Sequence, residues 1–266
     1  GIRETLINPN NPNNRYYNEL NLQSFFGRTN LDFANKYLLT LSLRADGSSL
    51  FREKDRWGFF PAAALAWKIK EEDFLKNVTF VNDLKLRLSA GKTGQQDITG
   101  NVGFYPSIPL FSIGSTTSQY LPGSNLYSAL PFNENLTWEK TSTVNAGLDF
   151  NFFKNSLISG AFDIYYNKTS DLLARVPTAP GQYLSDSFIT NEGKGFELNL
   201  NIKPISNDNS TLEFYSNIAY NSVEITDLGD VERLNAGGGL PVGTNVNSQV
   251  NAVGYQPYAF WLFQQL

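Results

Sequence analysis

Period-two alternation of apolar and polar residues is the feature that most constrains how this chain folds. In "YLLTLSLRA" (37–45), apolar residues alternate with Thr40, Ser42 and Arg44. Because successive side chains of a β-strand point to opposite faces, such a segment is predicted to be a strand with one apolar and one polar face. The same alternation runs through "DLKLRLSA" (83–90), "TVNAGLDFNF" (143–152) and "FELNLNIK" (196–203).

The strands are predicted to pair into three hairpins, each with a register in which apolar residues face apolar residues. A slip of one residue would place apolar side chains opposite polar ones, so one-sided burial selects this register. The predicted partners are Phe33 with Tyr37 and Leu31 with Leu39 around residues 34–36, Phe152 with Ile158 and Leu148 with Phe162 around 153–157, and Ile202 with Leu212 and Leu200 with Phe214 around 204–210.

The predicted connections differ in length between the two ends of the strands. The connections at 34–36, 153–157 and 204–210 are short, whereas those at 92–137 and 170–191 are long. Long structureless loops are uncommon in compact soluble domains. Outer-membrane β-barrels, in contrast, combine short turns at one end with long loops at the other, on strands of about 9–11 residues. The loop pattern therefore favours a membrane barrel.

Composition excludes several functional classes. The net charge is −4 and no basic run occurs, so we predict no nucleic-acid partner. The sequence has no Cys and no His, which removes the common zinc sites and the Ser-His-Asp and Cys-His catalytic groups. We predict no catalytic residues, no metal site and no cofactor, and a protein that is not an enzyme, although composition does not exclude a pair of catalytic carboxylates.

Two motifs resemble chemical sites but have simpler interpretations. "AGKTG" (90–94) resembles a phosphate-binding loop, yet position 86 is Leu where that loop requires Gly, so we interpret it as a strand that runs into a loop. The acidic cluster at 71–73 could bind a metal, but acidic residues also favour the first turn of a helix, which we prefer. No carboxylate spacing selects a glycosidase pair.

Aromatic residues fall into two groups. Those near predicted strand ends could stack on sugars, but we favour an interfacial aromatic girdle; they are Tyr37, Trp57, Phe59, Phe60, Trp67, Trp138, Tyr165 and Tyr166. Tyrosines in the long loops lie away from any girdle and are the candidates for substrate contact, because binding residues concentrate on loops. These candidates are Tyr105, Tyr120, Tyr127 and Tyr183.

Longer segments of the chain resemble a known family. "SFFGRTNLDFANKYLLTLSLRADGSSLF", "RWGFFPAAALAWKIKEEDFLKN", "NLTWEKTSTVNAGLDFNFFKNSL" and "NEGKGFELNLNIK" are similar to the SusC/RagA family of TonB-dependent outer-membrane transporters. The similar segments follow the same order as in the family and extend across residues 19–230.

This resemblance implies an antiparallel transmembrane β-barrel of about 22 strands with a plug domain folded inside it. It also implies import of oligosaccharides or peptides across the outer membrane of a Gram-negative, Bacteroidota-type bacterium. The implied partners are a SusD-like surface lipoprotein, the TonB complex, a glycan or peptide substrate and outer-membrane lipid.

For this chain we expect residues 1–266 to form a partial barrel domain of about eight to ten strands without a plug domain. An open run of strands has two unpaired edges, so we expect that the segment alone does not insert as a functional barrel. Pro61 is expected where a strand begins. The residues expected to face lipid are Leu39, Leu41, Leu148, Phe150, Leu198 and Leu200, and those expected to face the lumen are Arg44, Ala62, Ala64, Ala66, Arg87, Asp149, Asp163, Glu197 and Asn199.

The alternative is a secreted, soluble β-sandwich that binds glycan through its loops. In a sandwich the apolar faces of two sheets pack against each other rather than against lipid. A glycoside hydrolase is a third and weaker alternative.

Overall fold

The computed structural model describes residues 2–8, 11–96, 104–113, 127–129, 132–173, 188–207, 209–229, 231–239 and 247–261. The strands in these residues are β1 (Ile2–Asn8), β2 (Asn11–Leu20), β3 (Leu22–Phe33), β4 (Tyr37–Ser48), β5 (Trp57–Lys68), β6 (Val81–Gln95), β7 (Phe111–Ile113), β8 (Tyr127–Ala129), β9 (Glu139–Phe152), β10 (Ile158–Leu173), β11 (Phe188–Ser206), β12 (Thr211–Asp227), β13 (Arg233–Gly239), β14 (Asn247–Ala252) and β15 (Ala259–Phe260). Short 3₁₀ turns lie at Glu53–Asp55, Ile69–Glu71 and Lys154–Ser156, and the α-helix α1 is Asp73–Lys76.

Eight strands form one open antiparallel sheet in the order β12-β11-β10-β9-β6-β5-β4-β3. Sequence neighbours are adjacent except where β9 pairs with β6, because the small β7–β8 pair lies in the connection between them. Two further small sheets are β1–β2 and β13–β14–β15. None of the helices in the described residues is both long and apolar enough to span a membrane.

The first two predicted registers are confirmed, and the third is wrong. Phe33 pairs with Tyr37 and Phe152 with Ile158, as predicted. The predicted partners Ile202–Leu212 and Leu200–Phe214 are replaced by Ile202–Phe214, Ile205–Leu212 and Leu200–Ser216.

The cause of the wrong register is a tighter turn. Strand β11 continues to Ser206, with an irregularity between Ile202 and Ile205. The Asn207 backbone N–H donates to the Ser210 carbonyl, and the Asn207 side-chain oxygen accepts two further backbone N–H groups. The shift is two residues, so the apolar residues keep their predicted face.

The apolar faces of the eight strands combine into one continuous surface. A row of paired residues crosses seven of them: Leu39, Leu65, Leu88, Ala146, Ile164, Phe196 and Tyr220. Leu65, Leu88 and Ile164 are 41%, 43% and 48% exposed. A sandwich requires this face to be covered by a second sheet, and no described residue covers it. The exposed apolar face of the described strands therefore favours the membrane barrel over the sandwich.

The polar alternates share the opposite face, which we call the polar face. The row next to the apolar row above contains Leu38, Ala66, Arg87, Gly147, Asp163, Glu197 and Ala219. The predicted division of residues between two faces is thus confirmed. Along β5 the side chains of the polar face project little, because they are the small residues Ala62, Ala64 and Ala66.

The two ends of the sheet carry different connections. At the short-turn end lie the turns at 34–36, 69–80, 153–157 and 207–210, and the predicted helical turn at the acidic cluster is present as α1. At the long-loop end, residues 49–56 connect β4 to β5, and strands β6, β10 and β12 end there.

Aromatic pairs mark both ends of the apolar face. Tyr37 stacks on Trp67 at the short-turn end, with 6.3 Å between ring centroids, and Phe25 stacks on Trp57 at the long-loop end, at 6.0 Å. About 27 Å of strand separates Tyr37 from Ala45, the register partner of Phe25. At the tilt of about 35–45° found in membrane barrels, this length rises about 19–22 Å along the membrane normal, slightly less than the apolar band of about 25 Å in such barrels.

Three of the predicted girdle residues do not belong to the girdle. Phe60 and Trp138 are buried, at 6% and 3% exposure, and contact each other edge to face. Tyr165 pairs with Asn145 and Gly195 in a row of the polar face. Strand-end position alone did not separate girdle aromatics from inward ones, because residues on both faces occur near strand ends.

Pro61 lies inside β5 rather than at its start, so that prediction is wrong. The strand begins at Trp57, and Pro61 pairs with Leu43 of β4. On its other side, β5 pairs with β6 only from Ala62, which is opposite Gly91. The proline is tolerated because its missing N–H lies beyond the end of that second ladder.

Candidate functional site on the polar face

A charged network lies on the polar face across three adjacent strands. The Arg87 guanidinium of β6 donates to Asp149 of β9 at 2.8–3.1 Å and to Asp163 of β10 at 3.0 Å. The Lys85 ammonium lies 2.7 Å from Asp149. These four side chains, which we call the wall network, are 20–36% exposed. The network contains two cations and two carboxylates, so its net charge is zero. Its charge-assisted hydrogen bonds join three strands.

Gly147 allows the wall network to form. It pairs with Arg87 on one side and with Asp163 on the other, so it lies directly between them. Arg87 must therefore reach across two strand spacings, about 9–10 Å. A Cβ atom on Gly147 would lie 2.3 Å from an Asp163 carboxylate oxygen and 2.7 Å from an Arg87 nitrogen. Any side chain at this position would displace the bridge.

A pocket of about 430 Å³ opens on the polar face near the long-loop end. Arg44 of β4 donates through Nε to Asp46 at 2.6–2.9 Å and through Nη2 to Ser24 of β3 at 3.3 Å. Arg44 is 58% exposed, whereas Asp46 is 13% exposed. The pocket also contains Gln96, which accepts a hydrogen bond from Ser48. It offers charged and amide groups beside an aromatic wall, so it can bind polar solutes.

An apolar cluster closes the long-loop end beside this pocket. We call it the loop cluster, and it consists of Leu20, Leu50, Phe51, Phe60, Leu136 and Trp138, with Phe104 packed against it. Phe51 lies 5.2 Å from Trp138 between ring centroids, and the indole N–H of Trp138 donates to the Arg56 carbonyl. The cluster joins the 49–56 loop to the residues that precede β9.

Polar contacts reinforce the loop cluster. The buried Ser107 hydroxyl donates to the Leu50 carbonyl at 3.0 Å. Arg52 donates to the Ser107 carbonyl at 3.0 Å and forms an ion pair with Glu134 at 3.1 Å. Three loop segments that are distant in sequence are thereby held over the end of the polar face.

At the opposite end, Glu72 connects the turns. Its carboxylate accepts hydrogen bonds from the Lys36 ammonium at 2.9 Å, the Tyr37 hydroxyl at 2.6 Å and the Trp67 indole at 3.0 Å. The bonds from Tyr37, Lys36 and Trp67 lower the pKa of Glu72 to about 2. The acidic cluster therefore provides a hydrogen-bond hub for the aromatic pair at the short-turn end.

Comparison with known proteins agrees with this architecture. Residues 3–264 match the family described as "TonB dependent receptor-like, beta-barrel". The chain belongs to this TonB-dependent receptor family. It is 43% identical over 256 residues to the TonB-dependent receptor SusC of Bacteroides thetaiotaomicron, covering 92% of this chain and 25% of that protein. It is 38% identical over 220 residues to the TonB-dependent receptor P26 of Formosa agariphila, covering 81% of this chain and 22% of that protein.

Solved structures give the same result for the fold. The structure of the RagAB peptide transporter matches with a TM-score of 0.74 and 26% identity over 93% of this chain and 26% of that one. The chain thus spans about a quarter of the length of its relatives. The TonB-dependent receptor fold and the predicted resemblance are therefore confirmed, with the eight-stranded sheet as part of a barrel wall.

In this TonB-dependent receptor chain, the predicted substrate tyrosines are only partly described. Tyr105 is half-buried and directly precedes the turn that carries Ser107, next to the loop cluster. Tyr127 begins β8, where it is the register partner of Ile113. Tyr120 and Tyr183 lie outside the described residues. Their role in substrate contact stays a prediction.

Sequence reasoning missed the groups that the polar face brings together. Arg87, Asp149 and Asp163 were assigned to one face, but their mutual contact depends on β6 lying beside β9. The signal available in the sequence was Gly147, a residue disfavoured in strand interiors that often marks a close approach.

Replacing Gly147 with alanine is expected to break the Arg87–Asp163 bridge and to lower the free energy of unfolding of the barrel by about 1–2 kcal/mol. The matched control is Gly193→Ala on the same face, where the nearest atom to the added Cβ lies at 3.7 Å. Denaturant unfolding of the full-length protein in detergent measures both variants. Equal stability of the two variants would contradict the bridging role of Gly147.

The Glu72 hub predicts a specific pH dependence. The folded pKa of about 2 lies below the reference value of 4.5, so the hub stabilises the fold fully above pH 4.5, and this contribution is lost as the pH falls towards 2. Unfolding of the wild type and of Glu72→Gln is compared from pH 7 to about pH 2. We expect the stability difference between them to shrink below pH 4.5; a difference independent of pH would refute the assignment.

Proposed function

We propose that this chain forms part of the wall of an outer-membrane nutrient importer of the SusC/RagA type. The importer takes up oligosaccharides or peptides in a TonB-dependent manner, together with a SusD-like surface lipoprotein, and it is not an enzyme. The single observation that carries the proposal is the two-faced sheet. Its uncovered apolar face has aromatic pairs at both ends, and its opposite face carries charged and small side chains.

The two faces fit the two environments of a transporter wall. Closed barrels are the form in which strands satisfy their backbone groups in lipid. The apolar face then contacts hydrocarbon, and the polar face lines the lumen, where the shallow strip of Ala62, Ala64 and Ala66 allows a plug domain to pack closely. The long-loop end faces the cell exterior, as is usual for outer-membrane barrels.

The substrate is proposed to enter at the long-loop end. The pocket with Arg44, Asp46 and Gln96 lies on the lumenal side of this end, and Tyr105 lies near the loop cluster beside it. Arginine and carboxylate groups bind hydroxyl-rich or peptide ligands through charge-assisted hydrogen bonds. RagAB, a relative of solved structure, is a peptide transporter. The polar groups of the pocket can also bind the hydroxyl groups of oligosaccharides, so the proposal includes both peptides and oligosaccharides as substrates.

The experiment deletes the gene that encodes the full-length protein from its native bacterium. Growth is measured on defined oligosaccharides and on peptides as the limiting nutrient, with and without inactivated TonB. We expect the deletion strain and the strain with inactivated TonB each to lose growth on the same nutrient class. In the wild-type strain, we expect the protein to fractionate with the outer membrane and to co-purify with a surface lipoprotein. Unchanged growth on every nutrient, or a protein that is absent from the outer-membrane fraction, would refute the proposal.

A further inference from the structure

Lysines border the apolar face at the long-loop end of the sheet. Lys92 of β6 and Lys168 of β10 both pair with Ser142 of β9, from its two sides. Both lie two residues beyond the row that contains Ala90 and Val144, on the same face. Two strand spacings, about 10 Å, separate the lysines. The apolar face is therefore bordered by two lysines along β6 and β10 at this edge.

The acidic residues of this edge lie away from Lys92. The Lys168 ammonium is 3.0 Å from Glu192 of β11, and Glu224 of β12 is the next residue in that row. Lys92 is exposed, and none of the described residues forms an ion pair or hydrogen bond with its ammonium group. Lys92 is thus available for an external anion, whereas Lys168 is already paired.

Lys92 borders an open groove of about 720 Å³ on the apolar face. Small side chains form its floor, and larger apolar side chains form its flanks. The floor includes Gly27, Ala63 and Ala90, and the flanks include Leu41, Leu43 and Val144. Ser142 adds a hydroxyl near Lys92. An elongated apolar ligand with an anionic end fits this arrangement, because the apolar groove has the Lys92 ammonium at its border.

The hydrogen-bond ladder indicates the depth of Lys92 in the bilayer. Strands β5 and β6 pair from Lys68–Lys85 to Ala62–Gly91 and no further, so they separate immediately before Lys92. An unpaired strand edge is costly in hydrocarbon. The end of this ladder therefore lies at the headgroup boundary, which places Lys92 at the depth of lipid phosphates.

We propose that the groove and Lys92 form a binding site for a phosphate-bearing anionic lipid of the surrounding bilayer. An acyl chain lies against Ala63 and Ala90, and the headgroup phosphate meets the Lys92 ammonium and the Ser142 hydroxyl. A lysine near the membrane surface attracts anionic headgroups. This inference rests on the outer-membrane placement proposed above.

The test uses the full-length protein in neutral detergent, titrated with dimyristoylphosphatidylglycerol or dimyristoylphosphatidylcholine, with bound lipid counted by native mass spectrometry. The two lipids share their acyl chains and differ in net charge. We expect the wild type to prefer phosphatidylglycerol about fivefold and Lys92→Gln to lose that preference. The control Lys154→Gln, at an exposed lysine of the short-turn end, is expected to keep it.

The groove is tested separately from the charge. Ala90→Leu fills the floor and is expected to weaken binding of both lipids, and Ala63→Val provides a second, milder filling variant if the first fails to fold. Retained preference in Lys92→Gln, or lipid binding that is unchanged in a folded groove variant, would overturn the site. Binding of inorganic phosphate that depends on Lys92, in a protein that shows no preference for phosphatidylglycerol, would also overturn it, since that outcome indicates a free-anion site.

The outcome is separable from that of the proposed function. A protein that fractionates with the outer membrane and supports nutrient uptake, but shows no lipid preference, refutes the lipid site alone. A protein that is absent from the outer membrane refutes the proposed function, whatever its behaviour in detergent.

Discussion

Replacing Leu41 with lysine is expected to destabilise the assembled barrel by about 2–4 kcal/mol. Leu41 lies on the apolar face, 44% exposed, midway along β4 between the aromatic pairs at its two ends. A charge at the bilayer midplane loses its hydration, whereas the same charge near an aromatic girdle reaches water. The position therefore predicts an effect near the upper end of the range for membrane barrels.

The measurement is refolding of the full-length protein into lipid vesicles across a denaturant series. Ser42→Lys is the matched control, because Ser42 is the next residue of the same strand and points to the polar face. We expect the control to fold nearly as well as the wild type. If Leu41→Lys folds as well as Ser42→Lys, the apolar face does not contact lipid at this strand.

Replacing Phe51 with alanine is expected to destabilise the loop cluster by about 3–5 kcal/mol. Phe51 is 2% exposed and packs on Trp138, so its removal leaves a cavity between the 49–56 loop and the residues before β9. The strands of the sheet do not depend on this contact. The effect should therefore be a local opening of the long-loop end rather than global unfolding.

Limited proteolysis and hydrogen exchange of the 49–56 loop in the full-length protein measure this opening. The control is Phe74→Ala in α1, which removes a ring that is 67% exposed. We expect faster cleavage and exchange in Phe51→Ala and no change in Phe74→Ala. Faster global unfolding, with unchanged protection of the loop, would contradict a local role for the cluster.

Local patterns predicted most of the wall. Alternation fixed which residues share a face, because the side-chain direction of a strand depends only on the position in the chain. It also predicted the registers at the 34–36 and 153–157 turns, where the turns are short and apolar partners are unambiguous. At 204–210, Ile202 could pair with Leu212 or with Phe214, which are two residues apart and share a face, and the turn at Asn207 selected Phe214.

Non-local contacts of the site could not be predicted in the same way. The wall network requires β9 to lie beside β6, although a long connection separates them in sequence. Phe60 and Trp138 were predicted to be girdle residues, but the loop cluster buries them because the loops fold back over the polar face.

The sequence by itself determined that the strands have one apolar and one polar face and that the two ends of the sheet differ, since alternation and loop length are local properties. The tertiary structure alone decided which polar residues meet and which aromatics face inward. It placed Gly147 between Arg87 and Asp163, where the absence of a side chain lets an ion pair cross a strand. It also ended the β5–β6 ladder beside Lys92. These outcomes depend on strand order and packing across the sheet, which the local sequence pattern does not encode.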